Sequence, residues 1–307
     1  MKQPKIGVIG LAGQSAFLRT EHLPAPGESV HCSGLFFELG GKGYNQAIAC
    51  ARTGAKTVFV GAVGDDAYGR ACEEELKQEG IIPCLVRKDL PTAFAAITTA
   101  ADGENTVAVF PGAAKALQPE DLYLPAVKEQ LEGCSLLLLQ NELEGECLRE
   151  AIRFAGERKI PVILNPAPAA GLPGDVLADC ALITPNYGEA LLLAGLPENA
   201  IPSQQQLAEA VARLGPAEAV VTMGRKGAMI VSGGAWEIVP AVSFGPAVDT
   251  TGAGDTFNGV LAAALAAGRP LKAAVELAAV AAGLCVTCPG AKGSIPRRGE
   301  QAMPLLL

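Results

Sequence analysis

Between Val248 and Gly259 the chain reads VDTTGAGDTFNG, a glycine turn that runs into an alanine-rich stretch with an acid near its start. Gly252, Ala253 and Gly254 carry little or no side chain, so their N–H groups can close on a multiply charged phosphate. The start of the following helix adds the positive end of its dipole. Asp255 stands where a carboxylate can take a proton from an attacking hydroxyl. Residue types in this order suit phosphoryl transfer. The segment lacks the Lys-Ser/Thr ending of a Walker loop, so the base has to be Asp255 itself. The competing reading is structural, a glycine turn in which Thr250 or Thr251 caps a core helix. A second cluster, GGKGYNQ from Gly40 to Gln46, pairs three glycines that allow close backbone approach with donors suited to hydroxyls on Lys42 and Asn45.

Such loops need elements to hold them. Apolar runs at Ile6 to Gly10, Val58 to Gly61, Leu136 to Gln140, Val162 to Asn165, Leu182 to Thr184 and Val220 to Thr222 read as strands covered on both faces. Stretches of helical spacing at Tyr44 to Arg52, Tyr68 to Glu79, Glu146 to Arg158 and Gln204 to Leu214 alternate with them. The pattern predicts an α/β fold: a doubly wound, mostly parallel sheet with helices on both faces and ligands at the strands' carboxyl ends. Two regions break the alternation, about 15–39 and 93–110, and read as antiparallel strands of a small β lid inserted into one domain spanning 1–307. GVIGLAG, Gly7 to Gly13, imitates a dinucleotide fingerprint. Pro24, Pro26 and Gly27 interrupt the helix that such a fingerprint requires, so a dehydrogenase is a poor reading.

Composition narrows the function. A net charge of −8 with no basic run argues against nucleic acid or an anionic membrane as partner. The longest apolar runs stop well short of a membrane span and no charged-then-apolar leader precedes the first strand, so a cytoplasmic protein is expected. Nine cysteines without framework spacing suit reduced thiols, and the lone Cys285/Cys288 pair with two histidines in the chain makes a zinc site a poor reading.

Both glycine clusters occur in order with APGESV at Ala25 to Val30, NPAPA at Asn165 to Ala169, TPNYGEA at Thr184 to Ala190, TMGRKG at Thr222 to Gly227 and GAKGSIP at Gly290 to Pro296. In these motifs the chain resembles the ribokinase-like, or PfkB, sugar kinases over nearly its whole length. The resemblance implies ATP-dependent phosphorylation of a primary hydroxyl on a sugar or sugar-containing molecule, with a nucleoside kinase as the main rival and a non-catalytic sugar-binding regulator as the outsider. It implies Asp255 as base and the Gly252, Ala253 and Gly254 amides as anion hole. Asn186 and Glu189 match the NxxE motif that organises Mg²⁺ and phosphates, although a capping box explains the same pair. Thr222, Gly224 and Gly227 match the ATP loop, or an ordinary strand exit. Asp249 with the carbonyls of Thr251, Gly290 and Ser294 resembles a monovalent-cation site for K⁺, or Asp249 caps the glycine turn.

Gly41, Lys42, Asn45 and Glu142 match sugar-contacting positions of the ribokinase branch, while Lys42 and Glu142 read without it could be an exposed ion pair. Gly13 and Ser15 stand where that branch carries Asn and Asp, so ribose is expected to be a poor acceptor. The lid edge predicts a homodimer through the lid.

Overall fold

A computed structural model describes residues 4–299. In chain order its first elements are β1 (Lys5–Ile9), β2 (Gly13–Arg19), β3 (Gly34–Gly40), α1 (Lys42–Arg52), β4 (Lys56–Gly64), α2 (Ala67–Gln78), β5 (Ile82–Lys88), β6 (Ala93–Thr99) and β7 (Asn105–Phe110). There follow α3 (Pro125–Glu132), β8 (Leu136–Gln140), α4 (Gly145–Glu157), β9 (Val162–Asn165), β10 (Leu182–Ile183), α5 (Tyr187–Leu193) and α6 (Gln204–Ala212). The chain continues through β11 (Glu218–Thr222), β12 (Ala228–Ser232), β13 (Ala235–Val239), α7 (Ala253–Ala266) and α8 (Leu271–Cys285).

Nine strands form the main sheet in the order β13-β12-β11-β10-β9-β8-β1-β4-β5. Seven of them, from β11 to β5, run parallel, and β12 and β13 add an antiparallel edge. Strand β1 has β4 on one side and β8 on the other, so the connections reverse direction beside it and leave a crevice at the carboxyl ends. Alternate strand residues feed two cores. Ile6, Val8, Phe59 and Leu138 pack with α1, α7 and α8 on one face. Ile9, Val58, Val60, Leu137 and Leu139 pack with α3, α4 and α6 on the other.

The lid is a separate four-stranded sheet, β3-β2-β6-β7. The two inserted regions are antiparallel within themselves, β2 with β3 and β6 with β7, but they join through a parallel pairing of β2 with β6. That central pairing departs from an all-antiparallel expectation, and has a simple cause: β2 leaves the end of β1 and β6 follows β5, so both strands rise from the same end of a parallel sheet. The lid strands also begin at Gly13 and extend to Gly40, slightly beyond the limits expected from sequence. GVIGLAG accordingly leads from β1 into a strand instead of a helix, which disposes of the dinucleotide fingerprint.

Candidate active site

Helix α7 starts at Gly252, which takes a left-handed conformation (φ 79°) and makes no side-chain cap. Neither Thr250 nor Thr251 caps the helix, so the cap expected in the structural reading of the turn is absent. The Ala253 N–H is turned to the Thr250 carbonyl at 3.3 Å, and the first intrahelical bond runs from Thr256 N to Gly252 O at 2.8 Å. Among the described residues, the N–H groups of Gly252, Gly254 and Asp255 have no partner. Of the three amides expected from sequence to form an anion hole, two are open, and the Asp255 amide joins them. A Cβ on Gly254 would meet nothing within 4 Å, so the turn faces open space there, whereas one on Gly252 would lie 2.7 Å from the Ala291 carbonyl oxygen.

Asp255 sits in the first turn of α7. Its Oδ2 accepts from Asn45 Nδ2 and its Oδ1 from Gln46 Nε2, each at 3.0 Å. Burial pushes its carboxyl up from the ordinary aspartate range, against the pull of Lys42 and the two amide donors. The contact that makes this possible lies one turn on, where Gly259 lets α7 touch α1: a Cβ there would be 2.4 Å from Ala49 Cβ.

Beneath the carboxylate runs a closed set of hydrogen bonds between strand ends. Gln46 donates to Asn165 Oδ1 at 3.0 Å and accepts from Gln140 at 2.7 Å. Asn165 donates to the Thr184 carbonyl at 2.9 Å, the Thr184 hydroxyl donates to Asn258 at 2.5 Å, and Asn258 donates back to Gly254 O at 2.9 Å. The circuit begins and ends on α7 and ties the helix start to the carboxyl ends of β8, β9 and β10. These five side chains are essential to the site's shape and were not singled out from sequence. The available signal was a lone amide ending an apolar strand, as in LLLLQ and VILN.

Glu142 follows β8. Its Oε2 accepts from the Lys42 backbone N–H at 2.8 Å, so the link between these residues runs through the main chain. Burial raises its carboxyl to about 7, with Lys42 opposing and Asp255 reinforcing the rise. Burial also raises Glu189, again opposed by Lys42. One ammonium therefore serves three carboxyls.

Asn186 and Glu189 form a full capping box on α5, Asn186 Oδ1 accepting from Glu189 N and Glu189 Oε2 accepting from Asn186 N, both at 2.8 Å. Asn186 also bridges Thr222 at the end of β11. Past Thr222 the chain turns through Gly224 (φ 55°) and Gly227 (φ 91°), and the Gly227 position is enforced by the Val239 carbonyl, 2.0 Å from where a Cβ would be. Asp249 does hold the glycine turn, accepting from Thr251 N at 2.8 Å and Gly290 N at 3.0 Å. Burial works to raise its carboxyl, but these hydrogen bonds prevail and hold it below the usual range. Ser294 donates to the Ala291 carbonyl at 2.8 Å.

Between lid and sheet lies a cleft of about 1050 Å³. Gly13, Ser15, Gly41, Lys42, Asn45 and Glu142 line it at the lid's root, and Arg225, Asp249, Thr251 and Gly290 line it on the opposite side. Asp255 lies directly under Asn45. One space thus joins the acceptor-side residues, Thr250 and Thr251 just before the helix start, and Arg225 of the loop after β11, while Gly252, Gly254 and Asp255 lie outside its lining.

A family model described as pfkB family carbohydrate kinase matches residues 3–298. The chain belongs to that family. Ribokinase of Bacillus subtilis is 38% identical over 299 residues, covering 96% of this chain and 97% of its own length. A deoxyribokinase of Salmonella typhi is 34% identical, with 95% of each chain covered. The solved structure of Arabidopsis thaliana ribokinase complexed with ribose and ATP has a TM-score of 0.87 at 29% identity, covering 100% of this chain and 99% of that one. As a carbohydrate kinase of the pfkB family, this protein carries out ATP-dependent phosphorylation of a sugar. Its ribokinase-like sheet and separate small lid match the architecture expected from sequence. Among the described residues no helix is long and apolar enough to cross a membrane.

Proposed function

We propose that this carbohydrate kinase phosphorylates a primary hydroxyl of a sugar or sugar-containing small molecule held between lid and sheet, with Asp255 as the base. The observation that carries the reading is a desolvated carboxylate of raised pKa in the first turn of an uncapped helix whose leading amides are open. A raised pKa makes Asp255 a better proton acceptor than an exposed aspartate. As the acceptor oxygen attacks the γ-phosphorus, its O–H proton passes to Asp255, the bond to the bridging β–γ oxygen breaks, and ADP leaves. The Gly252, Gly254 and Asp255 amides meet the charge on the transferring group. Lys42 and Glu142 position the acceptor from the lid's root with Gly41 and Asn45. Gly13 and Ser15 shape the lid side of the same subsite. Thr222, Gly224 and Gly227 give the nucleotide a close backbone surface, with Asn186 at its edge.

Two cations fit this site. Among the described residues no group of three or more acidic, His or Cys side chains could hold a metal alone. Glu189 Oε1 stays outside the capping box, which suits a Mg²⁺ ion that keeps most of its waters and leans on nucleotide phosphates. When bound, that ion neutralises phosphate charge. Asp249, firmly ionised, together with the carbonyls of Thr251, Gly290 and Ser294, fits a monovalent cation such as K⁺. Rates in K⁺ against Li⁺ at constant ionic strength test that assignment.

One observation favours a nucleoside as acceptor. Phe17 and Phe36 stack on the cleft face of the lid, rings 4.5 Å apart and 1° from parallel, and an apolar wall of this kind suits a planar base. All nine cysteines are free, consistent with a reducing cytoplasm. We further propose a homodimer through the lid, whose face turned from the cleft exposes Leu35, Phe37 and Phe110. A coupled ADP-release screen over pentoses, hexoses and nucleosides tests the acceptor class; no release above the acceptor-free rate with any of them would overturn the reading.

A further inference from the structure

Glu38 lies on β3, two residues before Gly40 and directly across from Ser15 on β2. It lines the cleft on a lid wall where the apolar groups Phe17, Phe36, Ile97 and Val109 stand beside the polar Ser15, Thr99 and Asn105 and the cationic Arg19. Its Oε1 accepts from the backbone N–H of Lys292 at 2.9 Å and of Gly293 at 3.3 Å. Its Oε2 is buried and has no partner among the described residues. A carboxylate oxygen out of water and without a donor is unfavourable and calls for an explanation. Turning away does not relieve it, because the other oxygen is fixed to the loop.

We infer that Glu38 is the lid-side hydroxyl acceptor of the acceptor subsite. This rests on the kinase reading above and adds to it a specificity-determining residue. The missing donor is an O–H of the substrate polyol, and a carboxylate with one oxygen tied by two amides presents the other in a fixed direction. The lid stands on Gly13, Gly40 and Gly41, and Gly41 has φ 129° with no room for a Cβ beside the Leu11 carbonyl. As the lid lifts on these glycines Oε2 becomes reachable, and a hydroxyl that enters is held away from water when the lid settles. Glu38 thus supplies from β3 the carboxylate that Ser15 does not supply from β2. An aspartate introduced at Ser15 would face Glu38 across neighbouring strands, and the repulsion of the two carboxylates would offset any new hydrogen bond to substrate.

The test compares Glu38→Gln and Glu38→Ala with wild type, using whichever of D-ribose, 2-deoxy-D-ribose, D-fructose and inosine gives the highest wild-type kcat/KM. Glutamine keeps a carbonyl oxygen for the Lys292 and Gly293 amides but replaces the free oxygen with a donor. Glu38→Gln is expected to raise KM for the acceptor about ten- to a hundredfold, the loss of a charge-assisted hydrogen bond. Its kcat, KM for ATP and melting temperature should stay near wild type. An unchanged acceptor KM in Glu38→Gln, with Glu38→Ala alone impaired and less stable, would show Glu38 to be only a latch between lid and loop. A wild-type protein that phosphorylates none of the four overturns the acceptor reading together with this one, an outcome distinct from a working kinase indifferent to the substitution.

Discussion

Single side chains carry the chemistry of this site, and their electrostatics give it a pH signature. Glu142 is lifted to about 7 by burial, so the folded chain holds a proton there more tightly than the unfolded chain does. The stability tied to that proton is complete below the ordinary glutamate range and is lost as pH rises toward about 7. Glu142→Gln removes the titration while keeping an oxygen for the Lys42 amide. Its melting temperature relative to wild type should therefore increase between pH 5 and pH 8, by about 2–5 °C. A constant difference across that range would contradict the buried-carboxyl assignment. Asp255, Lys42 and Asn45 stand out in the sequence because glycine-rich turns isolate them, whereas Glu142 was indicated by the family resemblance alone. Gln46, Gln140, Asn165, Thr184 and Asn258 were not legible. Their partners lie up to 209 residues away, and only the stacking of strand ends brings them together.

At the scale of elements, α7 decides the site. Gly254 and Gly252 are both glycines in one turn, yet the surroundings separate their roles. Gly254→Ala places a methyl in open space and improves helix propensity by about 0.8–1 kcal/mol, so the protein should melt no lower than wild type. Its turnover should nevertheless fall at least tenfold, since the methyl occupies the approach of the transferring phosphoryl. Gly252→Ala instead forces a positive φ and a 2.7 Å contact on Ala291, and should lower the melting temperature as well as activity. Circular dichroism melts with steady-state rates on both variants check the pair; equal turnover in Gly254→Ala and wild type would remove the turn from the chemistry. Strands β8 and β9 were legible to the residue, being short apolar runs with clear ends. Helix α8 was not, because a stretch as alanine-rich as LKAAVELAAVAAGLC blurs the helical period. The β12–β13 hairpin was also missed, although its Gly233-Gly234 turn, with φ 58° and 81°, is a strong hairpin signal.

For the molecule as a whole, the proposed homodimer would make the lid serve both acceptor binding and assembly. Leu35 and Phe37 are each 58% exposed and Phe110 50%, an apolar face that an isolated chain would leave in water. Phe37→Asp should convert a dimer to a monomer in analytical ultracentrifugation without changing the melting of the main sheet, and a wild-type protein that sediments as a monomer would contradict the proposed assembly. The lid's presence was readable from two interruptions of the α/β pattern, but the parallel β2–β6 pairing was not, since it depends on two segments about 80 residues apart rising from one sheet end. The account stands or falls on phosphoryl transfer driven by Asp255. Asp255→Asn can be housed by rotating the Asn45 amide, whose Oδ1 is buried without a partner and would then accept from the new side chain. The fold and nucleotide binding should therefore persist. The decisive measurement is single-turnover transfer of radiolabelled γ-phosphate from ATP to the best acceptor by wild type and Asp255→Asn. The account predicts phosphorylated acceptor from wild type and a rate lower by about 10² to 10⁴ in the variant at unchanged ATP affinity; transfer at the wild-type rate by Asp255→Asn would contradict it.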